Sequence, residues 1–222
     1  MRHVALREPD AITGERYLRV WHSGDLYNQP DDFPRLTSEQ LFGNSKPLEI
    51  EIGCSTGEYL CSLAAANPTH NFLGIEINLK SLYVAVHNAA RRGLDNILFI
   101  KAPAQDTYRL MPPNSLHAVY LHFPDPSLHP KYRKRRLLTP TFLDKLHEVL
   151  VPGGIFSFVT DKEELFLDVL PMLENDPGFE KAHPEPYLRG FEPIAKSRYQ
   201  LYWERHGGVI YRVELRNVES SE

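Results

Sequence analysis

At 222 residues the chain is long enough for one sizeable α/β core, and its 42% hydrophobic and 24% charged content is that of an ordinary globular protein. A net charge of −4 excludes a uniformly basic nucleic-acid coat while leaving room for a local basic patch. The two cysteines, Cys54 and Cys61, lack CxxC spacing and the ten histidines lack paired metal spacing, so neither a disulfide framework nor a metal site is expected.

Residues 1–45 are polar and turn-rich with little periodicity, and read as a peripheral arm before a single domain over 46–222. Tyr17, Trp21 and Tyr27 suit packing either on the body or on a ligand. From Leu48 the pattern becomes rhythmic. LEIEI is a strand, GCSTGEYL a glycine turn opening a helix to about Ala66, and FLGIEI a second strand. A helix over 79–92 stops at Gly93. ILFIKA, a short helix near 104–111 and the strand LHAVYLHF follow. TPTFLDKLHEVL is an amphipathic helix ended by Pro152-Gly153-Gly154, IFSFVTD a fifth strand and KEELFLDVLPMLEN a helix. FEKAH and VIYRVELRN read as a late strand pair separated by a long loop. Strand alternating with helix implies a doubly wound, mostly parallel Rossmann-like sheet, and the antiparallel C-terminal pair points to a methyltransferase rather than a dehydrogenase. No apolar run approaches the ~18 residues of a membrane span, and the N-terminus lacks a secretory apolar stretch, so a cytoplasmic location is expected.

The turn after the first strand of the rhythm, Glu51 to Glu58, carries Gly53 and Gly57, which let backbone approach a ligand closely. Its G-x-x-x-G spacing lacks the third glycine of a dinucleotide fingerprint, which disfavours a nicotinamide oxidoreductase. The acid at the strand end, Glu51, suits a cation better than a pyrophosphate. Glu76, at the end of the next strand, has the offset from which an acid takes a ribose hydroxyl pair. Together they suggest S-adenosylmethionine.

The stretch 119–138, VYLHFPDPSLHPKYRKRRLL, leaves an apolar strand through Phe123-Pro124-Asp125-Pro126 and then releases Lys131, Arg133, Lys134, Arg135 and Arg136. Flanking prolines hold Asp125 on a stiff turn at a strand end, where open α/β sheets bind ligands. The dense cations repel one another, and a polyanion would relieve that.

With these segments in hand, residues 48–216 resemble the tRNA (guanine-N7)-methyltransferases, a likeness carried by LEIEIGCSTGEYL, FLGIEI, FPDP with its downstream KRRL, and Val159-Thr160-Asp161. The resemblance implies that Glu51 and Glu76 bind S-adenosylmethionine, that Asp125 is the active-site acid and also touches the cofactor, and that Asp161 lies on the substrate side. It implies a tRNA partner whose phosphates the 131–136 cluster would hold. Departures fall at Ser127 and His129, where the family has Trp and Lys, and at Pro103, which leaves only backbone around Ala104 to meet the adenine. The late T-x-x-E motif becomes Ser197-x-x-Gln200.

Guanine N7 carries a free lone pair, so the implied reaction needs in-line placement rather than a strong base. Asp125 and Asp161 would favour the positive charge arriving on the purine and orient its donor edge. Tyr199, Tyr202 and Trp203 would either stack on the base or pack under the late strand. Two alternatives stay open at this point: the same fold acting on another acceptor, and a non-catalytic RNA-binding relative.

Overall fold

The computed structural model describes residues 7–127, 129, 131, 136–185, 187–190 and 192–218. In chain order the elements are α1 (Ala11–Tyr17), β1 (Leu18–Val20), α2 (Ser23–Asn28), α3 (Ser38–Phe42), β2 (Leu48–Ile52), α4 (Glu58–Ala66), β3 (Asn71–Glu76), α5 (Leu79–Arg91), β4 (Ile97–Lys101), α6 (Ala104–Thr107), β5 (Leu116–His122), α7 (Pro140–Val149), β6 (Leu150–Thr160), α8 (Glu163–Glu174), β7 (Phe179–Lys181), β8 (Leu188–Arg189), α9 (Arg198–Arg205) and β9 (Tyr211–Asn217). Several of the helices start where a side chain satisfies their first amides: Asn78 accepts from Lys80 and Ser81, and Thr139 accepts from Phe142 ahead of a proline at the first helical position.

These strands form one sheet in the order β1-β4-β3-β2-β5-β6-β9-β7, with β8 beside β9. Pairings from β1 through β6 are parallel, and β9 pairs antiparallel with β6, β7 and β8. The chain winds outward through β2, β3 and β4, then returns to place β5 against the other side of β2. Strand alternation divides the core between two faces. Leu48, Ile50 and Ile52 join Phe142, Leu146 and Phe166 on one side, while Phe72 and Phe99 pack with Leu60, Leu82 and Ala85 on the other. The second set is met by α4 and α5.

Three expectations need correction. The N-terminal arm is not merely peripheral: among its described residues, 7–45, lie α1, α2 and α3, and β1 extends the sheet by pairing with β4. Tyr17 and Trp21 are buried in the body, whereas Tyr27 is exposed. Its short elements have no repeat long enough to show a period, so pairing and docking decide them. Pro152-Gly153-Gly154 does not end α7, which stops at Val149; it lies inside β6, where a register shift against β5 takes up the extra residues. The long C-terminal loop holds α9, started by Ser197, whose side chain accepts from the Gln200 amide.

Gly74 is where β3 passes beneath the glycine turn. A methyl added there would sit 2.6 Å from Cys54 Sγ and 2.7 Å from the Phe99 ring. Gly74→Ala is expected to lower stability by about 1–3 kcal/mol through overpacking, read as a drop in the urea midpoint without a change in slope.

Candidate active site

The reversal of winding puts the C-terminal ends of β2 and β5 side by side, which is where an open α/β sheet leaves a crevice. The turn after β2 is shaped by backbone that side chains disfavour: Gly53 has φ +78°, Ser55 +48° and Gly57 +69°. A Cβ on Gly53 would meet nothing within 4 Å, so that position borders open space, whereas one on Gly57 would come within 2.8 Å of Ala85. Gly53 therefore opens the crevice, and Gly57 lets α4 approach α5. The Glu76 carboxylate ties the turn down, accepting from the amides of Ser55 at 3.1 Å and Asn78 at 2.8 Å.

Two adjoining cavities occupy this edge. One, of about 450 Å³, runs over Gly53, Glu76, Pro103, Ala104, Phe123 and Asp125. The other, of about 530 Å³, lies between the turn, the start of α4 and α9, and is lined by Glu51, Tyr59, Ser197, Tyr199, Gln200 and Tyr202 among others. Gly53, Ser55, His122 and Phe123 border both. Phe123 holds φ +52° before a proline and its amide donates to Val159 O at 2.7 Å. Such strain is characteristic of positions held for function. Asp125 is exposed, and its Oδ1 accepts from the Ser127 amide at 2.9 Å, so the two-proline turn is reinforced by a local hydrogen bond.

Glu51 points to the α4 side of the sheet and is 5% exposed. Its Oε2 is buried without a hydrogen-bond partner among the described residues. Burial, with the nearby carboxylates of Glu58 and Glu76, pushes its carboxyl up to about 8. Glu49, two residues earlier on the same face, has its oxygens engaged by His70 at 2.6 Å and Tyr120 at 2.5 Å. An orphan buried carboxyl bordering open space fits a cationic ligand. His122 is also buried and is pushed down to about 3 by burial and by Arg212, so it stays neutral, with Nε2 3.1 Å from Ser157 Oγ.

The remaining sequence-chosen residues fall into distinct places. Asp161 is absent from both linings; its Oδ2 takes Lys162 Nζ at 2.5 Å and the Tyr199 hydroxyl at 3.0 Å, so it reaches the larger cavity through Tyr199. Of the aromatics left open, Tyr199 and Tyr202 line the cavity, while Trp203 packs with Val159 and Ile210 beneath the Lys162 ammonium. Lys131 is exposed, and its amide donates to the exposed His129 at Nδ1. Arg136 turns inward, donating to Pro126 O at 2.9 Å and pairing with Asp168 at 3.0 Å, so it braces the Asp125 turn against α8. Arg133, Lys134 and Arg135 lie outside the described residues. Tyr59 and His122 were not singled out in the sequence; the only signal was position, in the first turn after Gly57 and immediately before FPDP.

Residues 45–213 match a family model described as putative methyltransferase. A tRNA (guanine-N(7)-)-methyltransferase of Rubrobacter xylanophilus is 48% identical over 96% of this chain and 95% of its own length. The corresponding proteins of Chloroherpeton thalassium and Chloroflexus aurantiacus are 36% and 40% identical, covering 94% and 95% of this chain and 91% and 92% of theirs. The chain belongs to the tRNA (guanine-N7)-methyltransferase family. Its fold is that of class I methyltransferases: an antibiotic-related methyltransferase superposes with a TM-score of 0.57 at 17% identity over 82% of this chain and 94% of that one. A 16S rRNA adenine-N(1)-methyltransferase from Catenulisporales acidiphilia, solved with its cosubstrate SAM, gives 0.55 at 15% identity over 81% and 89%. This family member contains no helix, among the described residues, long and apolar enough to cross a membrane.

The raised Glu51 carboxyl has a consequence for stability. Between its ordinary value near 4.5 and about 8, the folded chain holds a proton that the unfolded chain has released. The stability of the ligand-free protein therefore falls as pH rises through that window. Glu51→Gln lacks this contribution. Its urea midpoint is expected to gain on the wild type steadily from pH ~5 to ~8.5, and parallel profiles for the two proteins would contradict the assignment.

Proposed function

We propose that this chain methylates N7 of a guanine in tRNA, with S-adenosylmethionine as donor and the variable loop as the site modified. The observation that carries the reading is the orphan Glu51 carboxyl in a cavity that shares Gly53, Ser55, His122 and Phe123 with the one holding Glu76 and Asp125. A ligand with a cationic end and a ribose fits that pairing of acids.

When bound, S-adenosylmethionine supplies an electrophilic methyl group on a sulfonium. Glu51 releases its proton to solvent and places a carboxylate against the cationic end. Glu76, with its carboxylate already oriented by the Ser55 and Asn78 amides, takes the ribose hydroxyls. The backbone at Ala104 meets the adenine. His122, neutral at working pH, adds no positive charge beside the reacting groups. The walls of the larger cavity hold the purine so that its N7 lone pair faces the donor, and such placement lowers a barrier by on the order of 7–11 kcal/mol when geometry is right. The Asp125 carboxylate stabilises the positive charge that develops on the purine, and Asp161, through Tyr199, supports the wall behind it. Lys131 with 133–135 supplies phosphate contacts that position the RNA without reading its bases.

Two results test this. Incubating unmodified bulk tRNA with labelled S-adenosylmethionine should yield 7-methylguanosine on nucleoside analysis; label in another nucleoside, or none, would overturn the reading. Asp125→Asn should lower turnover by roughly 10²-fold or more while leaving the cofactor dissociation constant within a few-fold. Equal losses in both would remove Asp125 from the chemical step.

A further inference from the structure

The turn that carries Asp125 is strained at both ends. Phe123 enters it at φ +52° and Ser127 leaves it at φ +41°, values that side chains disfavour and that persist where neighbours enforce them. The entry is held by the Phe123 amide on Val159 O at 2.7 Å. Pro124 and Pro126 have no N–H to give, so at those two positions the turn offers only carbonyls. Arg136 takes hold of one of them: its Nε donates to Pro126 O at 2.9 Å, ten residues back along the chain. Its Nη1 donates to Asp168 Oδ2 on α8 at 3.0 Å.

These contacts set Arg136 apart from the cations that precede it in the basic run. Lys131 is exposed. The Arg136 side chain is only 10% exposed, and its remaining nitrogen, Nη2, is buried with no partner among the described residues. An RNA phosphate approaching this guanidinium would have to displace the Asp168 carboxylate, whose charge repels it. We infer that Arg136 is a positioning residue for the chemical step and not an RNA contact: backed by Asp168, it holds the Pro126 peptide so that the Asp125 carboxylate stays at the cavity edge. This rests on the function proposed above. The next residue, Leu137, lines the same cavity as Pro124 and Asp125. The stretch 127–135, which carries the other cations, thus leaves from and returns to a single clamp beside the acid.

The clamp and a phosphate contact make opposite demands on substitutions. A planar guanidinium meets a carbonyl and a carboxylate in fixed directions at once, whereas an ammonium is a point charge on a flexible stem. Lysine at position 136 would keep a phosphate contact but lose the clamp. Removing the Asp168 charge would favour RNA at a phosphate contact, yet it leaves a clamp without its backing.

The experiment is methylation kinetics on unmodified tRNA for wild type, Arg136→Lys, Arg136→Gln and Asp168→Ala, each also combined with Asp125→Asn. Binding of tRNA is measured over a range of salt concentrations, and the stoichiometry of a cofactor titration counts the folded protein. Each single variant is expected to lower kcat per folded molecule by roughly tenfold or more, the order of loss that a small misplacement of a reacting group brings. The salt slope of tRNA binding should stay that of wild type in Arg136→Gln. In the Asp125→Asn background each change should cost less than about threefold further, because the group it positions is already gone. The inference is overturned if Arg136→Lys keeps the wild-type kcat or if Asp168→Ala tightens tRNA binding and leaves kcat unchanged. It is equally overturned if Arg136→Gln reduces the salt slope by about one, as loss of a phosphate contact does, or if the losses add in full to that of Asp125→Asn. Failure of the wild type itself to methylate tRNA would instead bring down the functional reading, and this inference with it.

Discussion

The reversal of winding between β2 and β5 is the constraint on which the rest of the molecule depends. Parallel strands all end on the same edge, and a change of direction leaves no crossover helix to cover the gap between the two central strands. Here the gap receives the Gly53 turn from one strand and the Phe123–Pro126 turn from the other. Everything around it serves to hold two short pieces of irregular backbone in place. Gly53 and the Phe123 amide are tied back to Ile75 and Val159, Glu76 pins Ser55, and Arg136 braces Pro126. The positive φ values at Ser55 and Phe123 persist because these neighbours over-determine them.

Two acids on one strand meet different surroundings. Glu49 and Glu51 point to the same face of β2, a two-residue step apart. Lower down the sheet, Glu49 finds a histidine and a tyrosine for its oxygens. At the strand end, Glu51 has one oxygen with no partner among the described residues and a carboxyl shifted toward neutrality by burial. Such a group is costly in a domain whose net stability is only ~5–15 kcal/mol. The stability it costs is recoverable on binding a cation, which is why an orphan carboxyl bordering a cavity carries more weight than an exposed one.

The far wall of the site is built differently. It comes from α9, a helix of polar and aromatic residues joined to the sheet through side chains more than through a buried apolar stripe. Tyr199 reaches Asp161 at the end of β6 and rests edge-on against Phe123, while Lys162 lies over Trp203. Within the same helix Gln200 Nε2 donates to Glu204 Oε1. Thus one side of the site is set by strand ends, which are rigid, and the other by a helix held through side-chain contacts.

The central strands and their helices were legible in the residue order because their periods are strong: LEIEI and ILFIK are buried runs of strand length, and 79–91 carries a helical stripe closed by glycine. The meeting of Glu51, Glu76 and Asp125 on one edge of the sheet was legible too, since each follows the end of a strand in a parallel alternation. Short elements were not. The three-residue β1 is a strand only because β4 offers it an edge, the Pro152–Gly154 stretch belongs to β6 only because β5 sets the register, and α9 is a short, polar helix set within a long loop. Nor does residue order say which charges are spent inside the fold, as Arg136 is on Asp168 and Asp161 on Lys162, or that His122 borders both cavities. Local sequence therefore determined the central elements and the chemistry at their ends. Tertiary structure decided the pairings, because a short segment or a lone charge takes its state from whichever partner packing brings within reach.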